Sequence, residues 1–415
     1  MCASIEFLSH PDPKKSLDVH CNEVGVKARE LCSGLNINCQ DAAYYAGVLH
    51  DIGKLNPVYQ IPFNLTKNPG ESSKQFETRI NEQMQLLHPT YIQQHATFSA
   101  WAAYKLLDGT TLTEKQKMQT ICAINSHHTR LQNNVDNQSS NAPTFIASQK
   151  AIASYLKEYK ARIGNSLDEL DWQSCYDQYE ETISVQTPLE SDNTQWQTDF
   201  LESGMIFSTL LQADRGSFRA WQTPKFDLTF DTSSLVKQSA LSDHRSQFNK
   251  TALENHDYNA SVSVLQAPTG IGKTKVFLDL VNEYCNPSDN KRNAEKFERV
   301  FYFSPLLALT DDFGDKIEQI MTDQQLKDVI EYNHLFSTTL LEKIENKQQG
   351  KVGLFHKDFE YESFNKKFII ATTQRLLMLI YSNRISDKIK LASLKNSLLI
   401  IDEIQTIPKY LIPNF

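Results

Sequence analysis

The sequence predicts a multidomain protein in which an all-α domain is followed by an α/β domain. Through roughly the first 220 residues, apolar side chains recur at three- and four-residue spacing, which is typical of packed helices. From Val262 onward, short apolar runs rich in β-branched residues alternate with helix-like segments, which is typical of a parallel sheet. The length of 415 residues also exceeds what one hydrophobic core usually supports.

These patterns divide the chain into three parts. A helical domain is predicted over residues 1–225, a linker over 226–256 and an α/β domain over 257–415. Helical patterning is clearest in VGVKARELCSGL, DAAYYAGVLHDIGKL and HATFSAWAAYKLL, and it resumes in SQKAIASYLKEYKARI and TDFLESGMIFSTLLQADRGSF. The polar tract QNNVDNQSSNAP is predicted to be an exposed loop. Four runs in the second half are predicted to be buried parallel strands: SVSVLQA, RVFYFSP, KFIIATT and SLLIIDE.

The composition excludes several classes of protein. With 42 Lys and Arg against 50 Asp and Glu, the net charge of −8 does not suit a protein that coats nucleic acid over its whole surface, so such contacts require a local groove. Seven cysteines without a CxxC pair favour a reducing cytoplasm. The amino terminus lacks a signal sequence and no apolar run could span a bilayer, so no membrane association is expected.

A phosphate-binding loop is predicted in VLQAPTGIGKTKVFLDL, where an apolar strand, a glycine-containing turn and a helix start follow one another. Gly270 and Gly272 allow the backbone amides to face the phosphates of ATP. Lys273 is predicted to contact the β- and γ-phosphates, and Thr274 to hold Mg²⁺. Ala267 replaces the first glycine of the usual pattern, and this resembles the A-x-T-G-x-G-K-T form of superfamily 2 helicases.

An acidic pair in SLLIIDEIQTIP complements this loop. Asp402 and Glu403 follow a strongly apolar strand, at the edge where a parallel sheet binds its ligands. Asp402 is predicted to bind Mg²⁺ through water, and Glu403 to polarise the attacking water as a catalytic residue. FYFSPLLAL and IIATTQRLL resemble superfamily 2 elements that hold the DNA backbone, and the resemblance implies phosphate contacts by Ser304, Thr372 and Thr373.

Histidine is concentrated early in the chain, since seven of the eleven precede Thr129. Imidazoles mixed with carboxylates suit divalent transition metals, and helices of a bundle can point such ligands into one cavity. Two metal ions stabilise both the attacking and the leaving oxygen in phosphodiester cleavage. The pattern therefore predicts hydrolysis of a phosphate ester. The candidate ligands are His20, His50, Asp51, His95, His127, His128 and Asp214.

The order of these residues resembles the HD phosphohydrolase superfamily. The resemblance implies a first metal site formed by His20, His50, Asp51 and Asp214, with Asp51 also able to bridge two ions. His95, His127 and His128 resemble the second site of two-metal members, and Lys54 matches the HDxGK motif, where it would neutralise a substrate phosphate. The metal is expected to be Mn, Fe, Co or Ni. The remaining histidines are interpreted as structural or surface residues: His10, His88, His244, His256, His334 and His356.

An HD domain followed by a superfamily 2 helicase domain resembles the signature nuclease-helicase family of type I CRISPR systems, and VLHDIGK, SHHT, LQADRG, APTGIGKT and DEIQ occur in its order. The resemblance implies an all-α HD phosphohydrolase-like domain and a RecA-like helicase domain. It also implies recruitment by an RNA-guided surveillance complex that has opened an R-loop. The HD site would then nick the displaced single-stranded DNA, and ATP with Mg²⁺ would drive translocation and unwinding.

Because the sequence stops just after DEIQ, the first RecA-like domain is expected to be incomplete and motor activity to be impaired. A second chain carrying the remaining helicase domain is one way to complete it. Two alternative functions share the same ligands. One is an HD phosphohydrolase that acts on nucleotides, and the other is a non-catalytic recruitment module of the surveillance complex.

Overall fold

A computed structural model of the chain describes residues 7–11, 13–35, 37–55, 60, 63–87, 95–131, 177, 193–219, 221–235, 242–285, 297–332, 337–339 and 359–409. The predicted loop at 132–143 and the predicted helix at 148–163 lie outside these residues. The chain divides into two compact units. One contains Met1–Ala220 with Asn383–Ala392, and the other contains Trp221–Ser382 with Ser393–Phe415.

The first unit is a group of helices whose apolar faces pack together. The first helix illustrates the pattern, because its buried residues Leu17, Cys21, Val24, Ala28 and Leu31 recur every three or four positions. The helices of this unit are α1 (Leu17–Cys32), α2 (Gln40–Leu49), α3 (Ser73–Leu87), α4 (His95–Leu106), α5 (Glu114–Ser126) and α6 (Asn193–Gly216), with a 3₁₀ turn at Ile52–Leu55.

Two glycines allow α1 and α2 to approach closely. A Cβ atom added at Gly47 would lie only 2.5 Å from the Cα of Gly25 and 2.6 Å from its backbone nitrogen. A Cβ added at Gly25 would meet the Val48 side chain at 2.6 Å. These contacts are with backbone or with a stiff β-branched side chain, so larger residues would force the helices apart.

A short antiparallel hairpin precedes the helices, which a purely helical prediction for the first 220 residues did not include. Strands β1 (Leu8–Pro11) and β2 (Lys14–Ser16) pair with each other. The hairpin is fixed at its base because the backbone amide of Leu17 donates to the Phe7 carbonyl at 2.7 Å. Its polar, proline-containing sequence has too few residues for a period-two pattern to be recognised.

Residues 383–392 join the first unit although they come late in the chain. Gln212 of α6 donates to the Ile389 carbonyl at 2.6 Å, and the backbone amide of Ala392 donates to the Ser208 hydroxyl at 2.9 Å. The backbone amide of Leu131 donates to the Asn383 carbonyl at 2.9 Å. The segment therefore packs on the same helix that carries Asp214.

The second unit is built on a five-stranded sheet in the order β5-β4-β6-β3-β7. All neighbours are parallel except β5, which is antiparallel to β4. Phe301 and Ile369 on one face and Val300 and Phe368 on the other belong to separate apolar clusters, so helices cover both faces. The strands are β3 (Arg299–Ser304), β4 (Val329–Tyr332), β5 (Ser337–Thr339), β6 (Phe368–Thr372) and β7 (Ser397–Ile401).

The helices of this part of the chain follow the strands or precede them, as expected for an α/β unit. They are α7 (Ser242–Glu254), α8 (Lys273–Cys285), α9 (Leu307–Ile320), α10 (Asp323–Leu326), α11 (Phe359–Glu362), α12 (Thr373–Tyr381) and α13 (Ile385–Lys388), of which α13 belongs to the first unit. Shorter 3₁₀ turns lie at Thr232–Leu235, Leu391–Leu394 and Ile404–Thr406. Across the described residues of both units, no helix is long and apolar enough to cross a membrane.

Three of the four predicted parallel strands are confirmed as β3, β6 and β7. The prediction of a buried strand in SVSVLQA is wrong, because residues 261–267 form no strand and Val262 and Val264 are 78% and 83% exposed. A strand requires a hydrogen-bonded neighbour, and among the described residues no strand pairs along the outer edge of β7, which is the last strand of the sheet. The local sequence favours a strand, but residues 261–267 make no such pairing in this structure.

Candidate active site

A group of two histidines and two carboxylates forms where α1, α2 and α6 meet. His20 comes from the first turn of α1, and His50 and Asp51 follow the end of α2. The Nε2 atoms of His20 and His50 approach within 3.3 Å. Asp214 of α6 places Oδ1 at 3.3 Å from His20 Nε2 and 3.4 Å from His50 Nε2. The predicted members of the first metal site are thus brought together.

A second group combines Asp51 with three further histidines. His95 begins α4, while His127 and His128 follow α5. The Nε2 atoms of His95 and His128 are 2.9 Å apart, and His95 Nε2 lies 3.2 Å from Asp51 Oδ1. In the first group, the ligand atoms of His20, His50 and Asp51 all lie within 4.8 Å of one another. The same limit holds in the second group for the ligand atoms of Asp51 and the three further histidines.

Asp51 belongs to both groups and is the most enclosed carboxylate of the site. It is 1% exposed, and its Oδ2 faces His20 and His50 while its Oδ1 faces His95. Lys54 donates to Oδ2 at 2.7 Å and to the Ser9 carbonyl at 3.2 Å. The geometry suits a carboxylate that bridges two ions. In this structure the Lys54 ammonium is paired with the Asp51 carboxylate.

Three imidazoles are oriented through their Nδ1 atoms. His50 Nδ1 lies 2.7 Å from the Gly47 carbonyl, and His127 Nδ1 lies 2.6 Å from the Ile124 carbonyl. A carbonyl oxygen only accepts, so Nδ1 carries a proton, and in the neutral form of each ring the Nε2 lone pair faces the centre. Ser217 Oγ approaches His20 Nδ1 at 3.3 Å. Such hydrogen bonds are typical of histidines that bind metal.

The electrostatics favour ionised carboxylates and mostly neutral imidazoles. Burial opposes ionisation of Asp51, yet the Lys54 ammonium and His50 hold the pKa of this carboxyl well below its usual range. Burial lowers the pKa of His95, although Asp51 partly offsets this. Burial and the nearby ring of His128 hold the pKa of His127 well below its usual value. Partial burial lowers the pKa of His128 to about 4, and the neighbouring ring of His95 contributes to this shift.

His50 is the exception among these rings. Burial lowers its pKa, but the carboxylates of Asp51 and Asp214 outweigh burial and raise it. Asp214 responds in the opposite sense, since hydrogen bonds from His20 and His50 overcome burial and hold its pKa well below the usual range. A metal cation bound in this group would balance the negative charge of these carboxylates, as a proton on His50 does in its absence.

Two buried atoms indicate that the residues fit metal ions. Asp51 Oδ1 and His127 Nε2 are enclosed, and neither makes a hydrogen bond of good geometry to any residue that the structure describes, although His95 Nε2 lies 3.2 Å from Asp51 Oδ1. Buried polar atoms without partners are uncommon, and one explanation is an ion at the site. A mixture of five imidazoles and two carboxylates suits divalent transition metals.

The predicted phosphate loop lies at the start of α8 in the second unit. Gly270 and Gly272 have φ of 81° and 107°, a conformation that residues with a Cβ rarely adopt. The helix begins at Lys273, and Thr274 is its second residue. Lys273 Nζ pairs with Glu403 Oε1 at 2.6 Å and lies 3.9 Å from Asp402 Oδ1. The loop and the acidic pair thus meet at the carboxyl end of β7.

The acidic pair is held by its neighbours. Tyr302 of β3 donates its hydroxyl to Asp402 Oδ2 at 2.9 Å, and Glu403 pairs with Lys273 and accepts from Gln405. Lys273 and then Gln405 lower the pKa of Glu403. Glu403 itself has φ of 52°, which is strained for a residue with a side chain. Strain of this kind often occurs at functional sites.

The three predicted DNA-contact residues lie at strand ends, as expected, but their side chains are buried. Ser304 ends β3 and donates its hydroxyl to the Leu306 carbonyl at 3.1 Å. Thr372 ends β6 and Thr373 begins α12. In this structure the Ser304 hydroxyl is already engaged within the protein, and a phosphate contact by these residues remains a prediction.

Comparison with protein families identifies both halves. Residues 16–211 match the family model described as Cas3, HD domain, and residues 243–410 match DEAD/DEAH box helicase. The chain joins a Cas3 HD domain to a DEAD/DEAH box helicase domain. The resemblance to the CRISPR nuclease-helicase family and the predicted fold class are confirmed. A search of curated proteins found no match.

A solved structure of Cas3 shares this fold. The crystal structure of T. fusca Cas3-ATP matches with 12% identity and a TM-score of 0.51, covering 98% of this chain and 48% of that one. T. fusca Cas3-ADP matches with 14% identity, a TM-score of 0.49 and the same coverage. A chain of a CRISPR RNA-guided surveillance complex, pre-nicking, matches with 14% identity, a TM-score of 0.40, and 97% and 43% coverage. This chain therefore spans about half the length of the T. fusca Cas3 structures.

The HD domain also contains residues that sequence reasoning did not assign to the site. His10, interpreted as structural, lies with its ring centroid 5.5 Å from that of His20. Ser217 contacts His20 Nδ1, and the Phe218 ring stacks on His20 at 5.4 Å between centroids. His10 lies outside every recognised motif, so nothing in the sequence indicated that it is close to the site. Ser217 and Phe218 directly follow the LQADRG motif, which is the one hint of their position.

Replacement of Gly53 in the HD domain by alanine is expected to weaken metal binding by the second ligand group more than by the first. A Cβ at this position would lie 2.2 Å from the His95 carbonyl oxygen, so the start of α4 must shift and carry His95 with it. We expect the affinity for the second Mn²⁺ equivalent to fall by about tenfold or more, as is typical when support of a ligand is lost. Isothermal titration calorimetry with Mn²⁺ measures this. Two equivalents bound with wild-type affinity would contradict the prediction.

Proposed function

We propose that the Cas3 HD domain of this chain is a metal-dependent nuclease that cleaves single-stranded DNA. The observation that carries the proposal is the pair of ligand groups that share the buried carboxylate of Asp51. Ligand sets joined by one carboxylate suit two ions, and two ions suit hydrolysis of a phosphodiester. Mn, Fe, Co and Ni are all compatible with these ligands.

Each part of the site has a proposed task in this reaction. His20, His50, Asp51 and Asp214 would hold one ion, and His95, His127 and His128 would hold the other together with Asp51. The ions, when bound, supply an activated water and neutralise charge on the phosphate. Lys54 keeps Asp51 ionised and oriented through the 2.7 Å contact. The backbone carbonyls of Gly47 and Ile124 fix the orientation of His50 and His127.

The helicase domain is proposed to bind ATP with Mg²⁺ through Gly270, Gly272, Lys273 and Thr274. Support comes from the meeting of Lys273 with Asp402 and Glu403 at the sheet edge. In that role Asp402 binds the Mg²⁺ shell and Glu403 positions the attacking water. The Lys273–Glu403 pair must open when phosphate enters, because a lysine engaged by a carboxylate cannot contact phosphate with the same donors.

We further propose that the substrate is the displaced strand of an R-loop opened by an RNA-guided surveillance complex. ATP-driven translocation along that strand and unwinding belong to the same proposal. The match to the Cas3 HD domain supports this context. A net charge of −8 is consistent with a protein that contacts DNA in a local groove and leaves sequence recognition to the guide.

The proposal is tested with circular single-stranded DNA, because a circle reveals endonucleolytic cutting without free ends. Purified protein is incubated with Mn²⁺, Ni²⁺ or Mg²⁺ in the absence of ATP, and parallel reactions contain mononucleotides. We expect linear and shorter DNA products with a transition metal, none after chelation by EDTA, and no phosphate release from nucleotides. Phosphate release without DNA cutting would favour the nucleotide phosphohydrolase. Neither activity in metal-loaded protein would favour the recruitment module.

A further inference from the structure

The amino-terminal hairpin lies directly against the metal-ligand groups, although no motif assigns it there. Its residue His10 contacts the ring of His20 edge-on, with 5.5 Å between centroids, and packs on Phe218 at 4.3 Å. Ser9, its neighbour in β1, accepts through its carbonyl the hydrogen bond from Lys54. The hairpin therefore touches both a candidate ligand and the lysine that holds Asp51.

A β-bulge turns His10 toward the site. Leu8 pairs with Ser16 and His10 pairs with Lys15, so Ser9 is an extra residue in β1. In a regular strand Leu8 and His10 would point to the same face, whereas here consecutive Leu8 and Ser9 are both buried. Bulges of this kind often redirect a side chain next to an active site.

The hairpin is held rigidly in this position. The buried Gln60 side chain accepts from the Leu8 amide at 2.8 Å and donates to the Leu8 carbonyl at 3.0 Å. It also donates to the Lys54 carbonyl at 2.5 Å. On the other strand, Lys15 donates to the Ser217 carbonyl at 2.8 Å and lies over the Phe218 ring. These bonds tie the hairpin to the HDxGK segment and to the end of α6.

One ring nitrogen of His10 remains available to a ligand. Ser9 Oγ lies 2.9 Å from Nδ1, and among the described residues no hydrogen bond engages Nε2. The side chain is half-buried, so it is ordered by packing yet reachable from solvent. The Ser9 hydroxyl can donate to Nδ1, and in that tautomer the neutral ring carries its proton on Nε2, where it can be donated to a ligand.

We propose that His10 is a substrate-binding residue of this centre, which donates a hydrogen bond from its ring N–H to a phosphate oxygen next to the metal-ligand groups. The inference rests on one part of the proposed function, which is the binding of metal ions and a phosphate group at this centre. Hydrogen bonds to charged acceptors are stronger than those to neutral ones, and their loss weakens binding by about tenfold. The His10 ring orients the phosphate, while Phe218 and the bulge orient the His10 ring.

The test measures inorganic phosphate binding to the Mn²⁺-loaded full chain by calorimetry, with metal content determined by mass spectrometry. His10→Phe keeps the aromatic packing and removes the N–H, and His10→Gln retains an amide N–H near the position of Nε2. The matched control is His244→Phe, at an exposed histidine of α7. We expect Kd for phosphate to rise about tenfold in His10→Phe. We expect little change in the control, a value near wild type in His10→Gln, and unchanged metal content in all variants.

Three results would overturn the inference: wild-type protein that binds no phosphate, His10→Phe that binds it as tightly as wild type, or His10→Phe that loses metal. The last result would make His10 a structural support of His20. Phosphate binding does not require DNA cleavage. A wild-type protein that binds phosphate in a His10-dependent way but cuts no DNA would refute the proposed nuclease and leave the inference about His10 in place.

Discussion

Replacement of Asp51 by asparagine is expected to abolish the proposed DNA cleavage by the HD domain, with a fall in rate on the order of 10³-fold or more, equivalent to ~4 kcal/mol of transition-state stabilisation. The reason is that Asp51 is the one residue shared by both ligand groups, so its loss removes a ligand from each. Cleavage of circular single-stranded DNA and the content of bound Mn²⁺ measure the effect. Both are expected to fall together.

Two control variants separate this effect from unfolding. Asp51→Asn leaves the Lys54 ammonium, which is only 7% exposed, without its carboxylate, and an unpaired buried charge destabilises a protein by roughly 3–5 kcal/mol. The double variant with Lys54→Met removes that charge at similar volume and is expected to melt nearer the wild type while still lacking metal. His128→Ala affects one group and is expected to retain one equivalent. Full cleavage by folded Asp51→Asn protein would refute the bridging role.

Replacement of Gly47 by alanine is expected to lower both stability and metal affinity, although it adds one methyl group. The added Cβ would meet the Gly25 backbone at 2.5 Å, so α1 and α2 must separate. Overpacking of this kind costs typically about 1–3 kcal/mol. It also moves His20 of α1 away from His50, whose Nε2 atoms now lie 3.3 Å apart. We expect a lower thermal unfolding midpoint and Mn²⁺ binding weakened by about tenfold.

Gly204→Ala is the matched control for this prediction. Gly204 lies in α6 of the same unit, and an added Cβ would first meet the Leu391 Cδ2 atom at 2.9 Å. That atom is the end of a flexible side chain, so it can move, and alanine also favours the helix by about 1 kcal/mol over glycine. We expect an unfolding midpoint close to the wild type. Equal midpoints for Gly47→Ala and Gly204→Ala would contradict the proposed helix crossing.

Much of the candidate site could be predicted because its chemistry is concentrated in short motifs. VLHDIGK places His50, Asp51 and Lys54 within one turn, and SHHT places His127 beside His128. Their types and order predicted a metal cluster, and the structure brings all seven candidate ligands together. Their role as ligands remains a prediction that the Asp51 and Gly53 variants test.

The fold was predictable where an element is specified by its own local sequence. Buried parallel strands such as RVFYFSP and SLLIIDE are apolar on both faces, and this property is local to the sequence. SVSVLQA is rich in β-branched residues but alternates serine with valine, and it forms no strand, because pairing also depends on a neighbour elsewhere in the chain. The hairpin that carries His10 is the reverse case. Its local sequence predicts a strand only weakly, but hydrogen bonds with Gln60 and Lys54 hold it in place.

The sequence by itself determined the two fold classes, the candidate phosphate loop and the residue types of the candidate metal-ligand groups, because periodicity and motifs depend on residues close together in the chain. The tertiary structure alone decided that Asp51 faces both groups, that the His10 ring packs against His20, and that residues 383–392 pack on α6. Those features depend on hydrogen-bond partners and close packing between residues far apart in sequence. Local preference cannot specify such contacts.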